Sequence, residues 1–150
     1  MASSMLNPDF ADLLRAFSDA KVRFVVVGAY ALAIHSRPRA TGDLDIWIEP
    51  TPENALRVMH ALRAFGAPVD RVEQKDFEQP GVVFQIGVPP RRIDLLTDLT
   101  GLTFPEAWED RITHRVLDID VDFLGRASLI KNKRTLGRPK DLADIALLEE

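Results

Sequence analysis

The spacing of apolar positions alternates between helix and strand periods along the first half of the chain. After a capping Asn7 and a proline, apolar residues recur every three or four positions, which predicts a helix with one buried face. Residues 23–27 form a continuous β-branched and aromatic run, typical of a strand buried on both faces. That run ends at Gly28, and residues 29–36 are expected to form a short helix. The period-two segment Leu44–Ile48 predicts a second strand.

The pattern that follows predicts a longer helix and then a group of short strands. The helix is expected to begin after Thr51, a good N-cap, and to end at Gly66, a good C-terminal stop. Residues 82–88 and 92–97 are predicted to form two strands joined by a turn at two consecutive prolines. Residues 116–124 are expected to hold one further strand.

Helical spacing returns towards the end of the chain. Residues 104–111 are expected to form a short helix, and two more helices, divided at Gly137 and Pro139, follow the last strand. This order of elements predicts an α/β or α+β fold, with a mixed β-sheet flanked by helices and a helical C-terminus. A length of 150 residues fits a single domain over residues 1–150.

Composition narrows the class of protein. Hydrophobic residues make up 46% of the chain, as in ordinary globular proteins. The longest apolar stretch, residues 24–34, is too short to cross a bilayer, and the N-terminus does not resemble a secretion signal. We therefore expect a cytoplasmic protein with no membrane partner. The chain has no cysteine, which excludes disulfides and thiolate zinc sites.

Charge is distributed unevenly. The net charge is −4, yet residues 126–140 contain six basic residues and no acidic one. The basic residues are Arg126, Lys131, Lys133, Arg134, Arg138 and Lys140. Two interpretations remain open on this ground alone: a solvated basic helix face, or a place where an anionic ligand is held.

Three aspartates are the candidate chemistry. Asp43 and Asp45 are two positions apart at the second predicted strand, so their side chains point to one face, with Cα atoms roughly 6.5 Å apart. Carboxylates this close repel one another unless a cation lies between them, which suggests a metal site. Asp94 interrupts an otherwise apolar strand and is the candidate third ligand. The alternative is that the pair faces solvent on an edge strand.

Residues 24–29 (Phe-Val-Val-Val-Gly-Ala) and 39–45 (Arg-Ala-Thr-Gly-Asp-Leu-Asp) together carry a family resemblance. They resemble the signature of DNA polymerase β-like nucleotidyltransferases: a strand, a Gly-Gly or Gly-Ser turn, a short helix, and Asp-x-Asp on the next strand. Asp94 matches that superfamily's third carboxylate. Residues 129–144 resemble the C-terminal segment of its minimal, AbiEii-like branch, which includes toxins of toxin-antitoxin systems.

The resemblance implies the nucleotidyltransferase fold and its chemistry. In that chemistry a nucleoside triphosphate (NTP) such as ATP gives its nucleoside monophosphate (NMP) to an acceptor oxygen and releases pyrophosphate. Asp43, Asp45 and Asp94 would be the catalytic and metal-binding residues, with Mg²⁺ or Mn²⁺ as the cofactor. The acceptor would be RNA such as tRNA, a protein or a small molecule, and an antitoxin is an expected partner.

The resemblance also implies a set of nucleotide-binding residues. A glycine turn suits phosphate because a bare backbone lets phosphate oxygens approach its N–H groups. The implied residues are Gly28, Ala29, Arg39, Thr41, Lys133, Arg138 and Asp141. Ala29 departs from the pattern, because the superfamily usually has glycine or serine there and alanine supplies no hydroxyl group.

Three classes of function therefore remain open. The first is an active nucleotidyltransferase, which the retention of three carboxylates favours. The second is a catalytically weak module on the same fold that senses nucleotides or binds a partner, which Ala29 favours. The third is a structural subunit of a larger complex, since 150 residues leave little room for a domain that recognises the acceptor.

Overall fold

Strands from distant parts of the chain assemble into one mixed sheet. The protein is represented by a computed structural model that describes residues 7–36 and 42–150. The strands of this described part are β1 (Phe24–Val27), β2 (Leu44–Ile48), β3 (Val83–Ile86), β4 (Ile93–Leu96), β5 (Ile112–Val116) and β6 (Ile119–Phe123). They form a six-stranded sheet in the order β3-β4-β2-β1-β6-β5.

Helices cover both faces of the sheet. They are α1 (Pro8–Asp19), α2 (Gly28–His35), α3 (Pro52–Phe65), α4 (Phe104–Asp110), α5 (Arg126–Leu136) and α6 (Pro139–Leu148). Short 3₁₀ turns lie at Val69–Arg71 and Gln74–Glu78. Within the described ranges, every helix is too short or too polar to cross a bilayer. The expected α/β fold, with a mixed sheet flanked by helices and a helical C-terminus, is confirmed.

Strand directions bring three strand ends to the same edge of the sheet. β2 pairs in parallel with β4 and antiparallel with β1. The start of β2, the start of β4 and the end of β1 therefore lie side by side. Register makes this concrete, because Asp45 of β2 is the partner of both Val27 of β1 and Asp94 of β4.

The two faces of β2 enter two separate cores. Leu44, Ile46 and Ile48 pack with the apolar faces of α1 and α3. Trp47 points to the opposite face, where it is buried and meets the ring of Phe104 edge-on at 5.3 Å. The predicted alternation of β2 is confirmed, and Trp47 is a packed core residue rather than a platform on which a base could stack.

Most predicted element ends agree with the structure, because local end signals are strong. Asn7 caps α1 by accepting a hydrogen bond from the Phe10 N–H, and Thr51 caps α3 through the Asn54 N–H. Gly66 ends α3 in the left-handed conformation that only glycine adopts cheaply. Pro139 is the first residue of α6, as expected.

The strand predicted within residues 116–124 is confirmed as β6, whereas β5, which precedes it, was not predicted. The structure has two antiparallel strands, β5 and β6, joined by a tight turn at Leu117 and Asp118. Leu117 takes a positive φ of 57°, a conformation normally given to glycine or asparagine in such hairpins. The turn therefore lacks the glycine or asparagine that would have predicted it, and the exposed, polar β5 was not recognised from its composition.

A buried amide ties together the end of the sheet opposite these carboxylates. Asn54 is 1% exposed and accepts a hydrogen bond from the Arg23 N–H at 2.7 Å. Its Nδ2 donates to the carbonyl oxygens of Arg23 and Glu49, each at 2.9 Å. One side chain from α3 thus satisfies backbone groups where β1 begins and where β2 ends.

We expect Asn54→Ala to lower the free energy of unfolding by about 1–3 kcal/mol, because the Arg23 N–H loses its partner and the carbonyl oxygens of Arg23 and Glu49 each lose one of two donors. Chemical denaturation measures this loss. Arg57→Ala, an exposed change on the same helix, serves as the control and should stay within about 0.5 kcal/mol of the unsubstituted protein. Equal, small losses in both variants would contradict the structural role of Asn54.

Candidate active site

The three predicted aspartates lie together at the edge where the strand ends meet. Asp43 immediately precedes β2, Asp45 is the second residue of β2, and Asp94 is the second residue of β4. Asp45 and Asp94 are direct partners on neighbouring parallel strands, which lie about 4.8 Å apart. Strand register thus brings together two residues, Asp45 and Asp94, that are 49 positions apart in the sequence. The predicted proximity of Asp94 to the Asp43 and Asp45 pair is confirmed.

Crowding changes the electrostatics of Asp45. The pKa of Asp45 is raised from 3.8 to about 7. Burial is the largest cause, followed by the nearby charge of Asp94, a hydrogen bond between these two carboxyl groups, and the charge of Asp43. Only the guanidinium of Arg92 acts in the opposite direction. Without a bound cation, Asp45 therefore holds a proton well above the ordinary range of an aspartate.

Arg92 is the site residue that sequence reasoning missed. Its Nε and Nη2 donate to the two oxygens of Asp94 at 2.8 and 3.2 Å, and Nη2 also lies 3.4 Å from Oδ2 of Asp43. Its backbone N–H donates to Oδ1 of Asp43 at 3.0 Å. The available signal was its position two residues before Asp94, since side chains at i and i+2 of an extended segment share a face.

The donor set suits a hard divalent ion. Carboxylate oxygens are the ligands that Mg²⁺ and Mn²⁺ prefer, and a cation would favour the ionised form of Asp45, which burial and the neighbouring carboxylates disfavour. In the arrangement seen over the described residues, no group of three or more His, Asp or Glu side chains is positioned to hold one ion. Asp43 and Asp94 are instead engaged with Arg92.

Gly28 lies against Asp45 at the start of α2. It has a φ of +67°, and a Cβ atom built on it would lie 2.3 Å from Oδ2 of Asp45. Only glycine satisfies both the conformation and the close approach. Ala29, the next residue, is exposed, so its side chain is not required for packing. The first backbone N–H groups of α2 therefore begin beside the carboxylates with little side-chain cover.

The C-terminal helices carry a second charged cluster. Asp141, fully buried on α6, accepts hydrogen bonds from the Arg138 side chain, at 2.5 Å from Nε and 3.1 Å from Nη2. Lys133 of α5 lies 3.7 Å from Asp141 and 3.0 Å from Asp144. The Arg138 hydrogen bonds hold the pKa of Asp141 below its usual value. Asp141 and Asp144 of α6 thus hold Lys133 and Arg138 in place.

This cluster is built largely on internal pairs. Within the described parts of the chain, the ion pairs of Lys133 and Arg138 run to Asp141 and Asp144, and none runs to the three aspartates of the sheet. Lys131 points elsewhere and pairs with Glu106 of α4 at 3.1 Å. Much of the basic character seen in residues 126–140 is therefore neutralised locally. Arg39 and Thr41 lie outside the described residues.

The architecture is that of the nucleotidyltransferases. TM1012 of Thermotoga maritima, a provisionally assigned nucleotidyltransferase, superposes with a TM-score of 0.62 and 15% sequence identity over 95% of this chain and 93% of its own. The lincosamide antibiotic adenylyltransferase LnuA, solved with lincomycin bound, gives a TM-score of 0.61 and 14% identity over 97% of this chain and 98% of its own. No protein-family model and no curated protein matches the sequence. The likeness therefore establishes the nucleotidyltransferase fold.

We expect the metal-free protein to lose stability as pH rises from about 4 to about 7. The pKa of Asp45 rises from 3.8 to about 7 on folding, so the folded state holds a proton over this range that the unfolded chain has released. This contribution is fully present below pH 3.8 and is lost as pH rises through about 7. Asp45→Asn, which is neutral throughout, should flatten that decline in melting temperatures recorded with a chelator.

The control for this prediction is Asp120→Asn on β6. Asp120 is exposed and pairs with Arg115 at 3.1 Å, so the same chemical change is made away from the site. It should keep the pH dependence of the unsubstituted protein. An Asp45→Asn variant with an unchanged pH dependence would show that Asp45 is not the titrating group.

Proposed function

We propose that this protein is a metal-dependent nucleotidyltransferase that transfers NMP from an NTP to an acceptor. The observation that carries the proposal is the pairing of Asp45 with Asp94, with Asp43 beside them, on a nucleotidyltransferase fold. A partly buried carboxyl group beside two other carboxylates is costly to ionise without a cation, as the raised pKa of Asp45 indicates. Their retention therefore favours a site that works with metal bound.

Each site residue has a proposed role. Asp43 and Asp45 would hold Mg²⁺ or Mn²⁺, and Asp94 would complete the ligand set and help to accept the proton of the acceptor hydroxyl. Bound metal supplies charge stabilisation for the triphosphate and lowers the pKa of the attacking oxygen. Gly28 and the first N–H groups of α2 would face phosphate oxygens, because the backbone there is bare and close to Asp45.

The proposed transfer is a single displacement at the α-phosphorus. An acceptor oxygen forms a bond to the α-phosphorus, the bond from that phosphorus to the bridging oxygen breaks, and pyrophosphate leaves with the electron pair. The acceptor proton passes to a nearby base, a role that we propose for Asp94. The residues of this chain contribute by holding the carboxylates, the phosphate-facing backbone and the charged C-terminal cluster in fixed positions.

Among the candidate acceptors, we favour a small molecule over RNA or a protein. LnuA is named as an adenylyltransferase of a lincosamide antibiotic, and this chain matches 98% of its length. A chain of this size therefore suffices for such a substrate without an added recognition domain. The resemblance of residues 129–144 to the AbiEii-like branch supports a second proposal, a role as a toxin with an antitoxin partner.

We expect incubation of the protein with an α-labelled triphosphate, Mg²⁺ and a cell extract to transfer label to one extract component. Separation into small-molecule, RNA and protein fractions identifies the acceptor class. The double variant Asp43→Ala and Asp45→Ala should give no transfer, because both proposed metal ligands are lost. Asp118→Ala together with Asp120→Ala, a matched pair of exposed aspartates, should retain the activity.

The same assay separates the enzyme from the nucleotide-sensing alternative. Nucleotide binding with no transfer above the Asp43 and Asp45 double variant, for every common triphosphate and fraction, would remove the enzyme and leave a sensor. Ala29→Ser then tests whether the missing hydroxyl group is the cause. A gain of transfer in that variant would assign the loss to residue 29.

We propose that Lys133 and Arg138 also contact the triphosphate. Lys133→Ala and Arg138→Ala should then each weaken binding of a non-hydrolysable triphosphate with Mg²⁺ by roughly 10- to 150-fold, through loss of charge-assisted hydrogen bonds to the phosphates. Lys131→Ala is the matched control and should have a far smaller effect, because Lys131 points to Glu106 instead. Isothermal titration measures all three, with melting curves to verify folding. Small, equal, salt-screened losses across the set would withdraw Lys133 and Arg138 from the nucleotide site.

A further inference from the structure

We propose that Arg92 is a displaceable counter-ion that competes with divalent metal for the carboxylates and so sets the metal affinity of the site. The proposal rests on the metal site of the proposed function. Its basis is that the Arg92 guanidinium engages both oxygens of Asp94 and Oδ2 of Asp43. These are oxygens that a divalent ion bound by Asp43 and Asp94 would need.

The contacts of Arg92 are those of a substitute cation rather than of a surface ion pair. Its fork meets Asp94 in a bidentate arrangement and extends to Asp43, bridging two strands that are neighbours in the sheet. The side chain is 28% exposed, whereas the exposed pair Arg115 and Asp120 has 64% and 67%. Arg92 therefore supplies positive charge to the carboxylates where water screens it less.

Release of the guanidinium needs no change of the backbone. Arg92 lies one residue before β4, and its carbonyl oxygen accepts the Leu44 N–H at 2.9 Å. Its own N–H donates to Oδ1 of Asp43 at 3.0 Å. Both bonds use main-chain groups of Arg92, so the Asp43 carboxylate keeps one hydrogen bond when the Arg92 side chain turns away. A flexible arginine stem permits that movement, and a guanidinium group is well suited to pair with phosphate oxygens once it is released.

Competition makes a prediction opposite to that of a supporting role. If Arg92 only positioned the aspartates for metal, its loss would weaken metal binding. If it competes, Arg92→Ala should bind metal more tightly, because no bonds have to be broken first. The backbone N–H to Asp43 remains in this variant, so the carboxylate is not left unsupported.

The test is isothermal titration of Mn²⁺, without nucleotide, into the full chain and three variants. We expect Arg92→Ala to bind Mn²⁺ about tenfold more tightly or better than the unsubstituted protein, since charge-assisted bonds no longer oppose the ion. Arg92→Lys should be intermediate, because an ammonium group cannot make the bidentate contact. Arg115→Ala removes the same charge beside a different aspartate and should change the affinity by less than about twofold.

Thermal melting gives a second readout that does not depend on the heat of binding. With a chelator, Arg92→Ala should melt below the unsubstituted protein, because the carboxylates lose their counter-ion. Added Mn²⁺ should then raise its melting temperature by more than it raises that of the unsubstituted protein. Circular dichroism verifies that each variant is folded, and Arg92→Lys keeps the test valid if the alanine variant does not fold.

The outcomes separate this inference from the proposed function. Unchanged or weaker Mn²⁺ binding in Arg92→Ala, with clear binding by the unsubstituted protein, overturns the role of Arg92 and leaves the metal site standing. Equal tightening in Arg92→Ala and Arg115→Ala reduces the effect to net charge and also overturns the inference. Absence of Mn²⁺ binding in every folded variant overturns both the inference and the metal dependence of the proposed function.

Discussion

Repulsion between the carboxylates of Asp45 and Asp94 is the constraint to which the neighbouring residues are adjusted. Strand register places the two groups side by side, and burial together with the charge of Asp94 keeps a proton on Asp45. Arg92 meets the remaining negative charge, and Gly28 removes any side chain that would push Asp45 away. The site therefore combines crowded carboxyl groups with support from the main chain, and its perturbed pKa marks it as the candidate functional site of the fold.

Much of the fold followed from the sequence because its elements carry strong local signals. Caps, apolar spacing and stop residues define α1, α3 and α6, a continuous apolar run defines β1, and period-two alternation defines β2. The β5–β6 hairpin did not follow, since Leu117 occupies a turn position that usually signals itself with glycine. Tertiary context holds that residue where local preference would not.

The aspartates of the site could be predicted, whereas their counter-charges could not. An Asp-x-Asp pair and an aspartate inside an apolar strand stand out in a sequence, and sheet register then joins them. Arg92 looked like an ordinary charged residue at a strand end. In the same way the six basic residues of the C-terminal segment left open a solvated basic face or an anion site. Lys133 is in fact held by Asp141 and Asp144, a pairing that depends on how α5 packs on α6.

The contact between Gly28 and Asp45 also separates two neighbouring positions by how freely each can vary. At residue 28 any side chain would collide with a carboxylate oxygen and strain the backbone, so the geometry excludes substitution of this glycine. At residue 29 the side chain is exposed, so exchange among small residues leaves the architecture intact. An alanine at 29 is thus a change that selection on stability would not remove, and only selection on chemistry could.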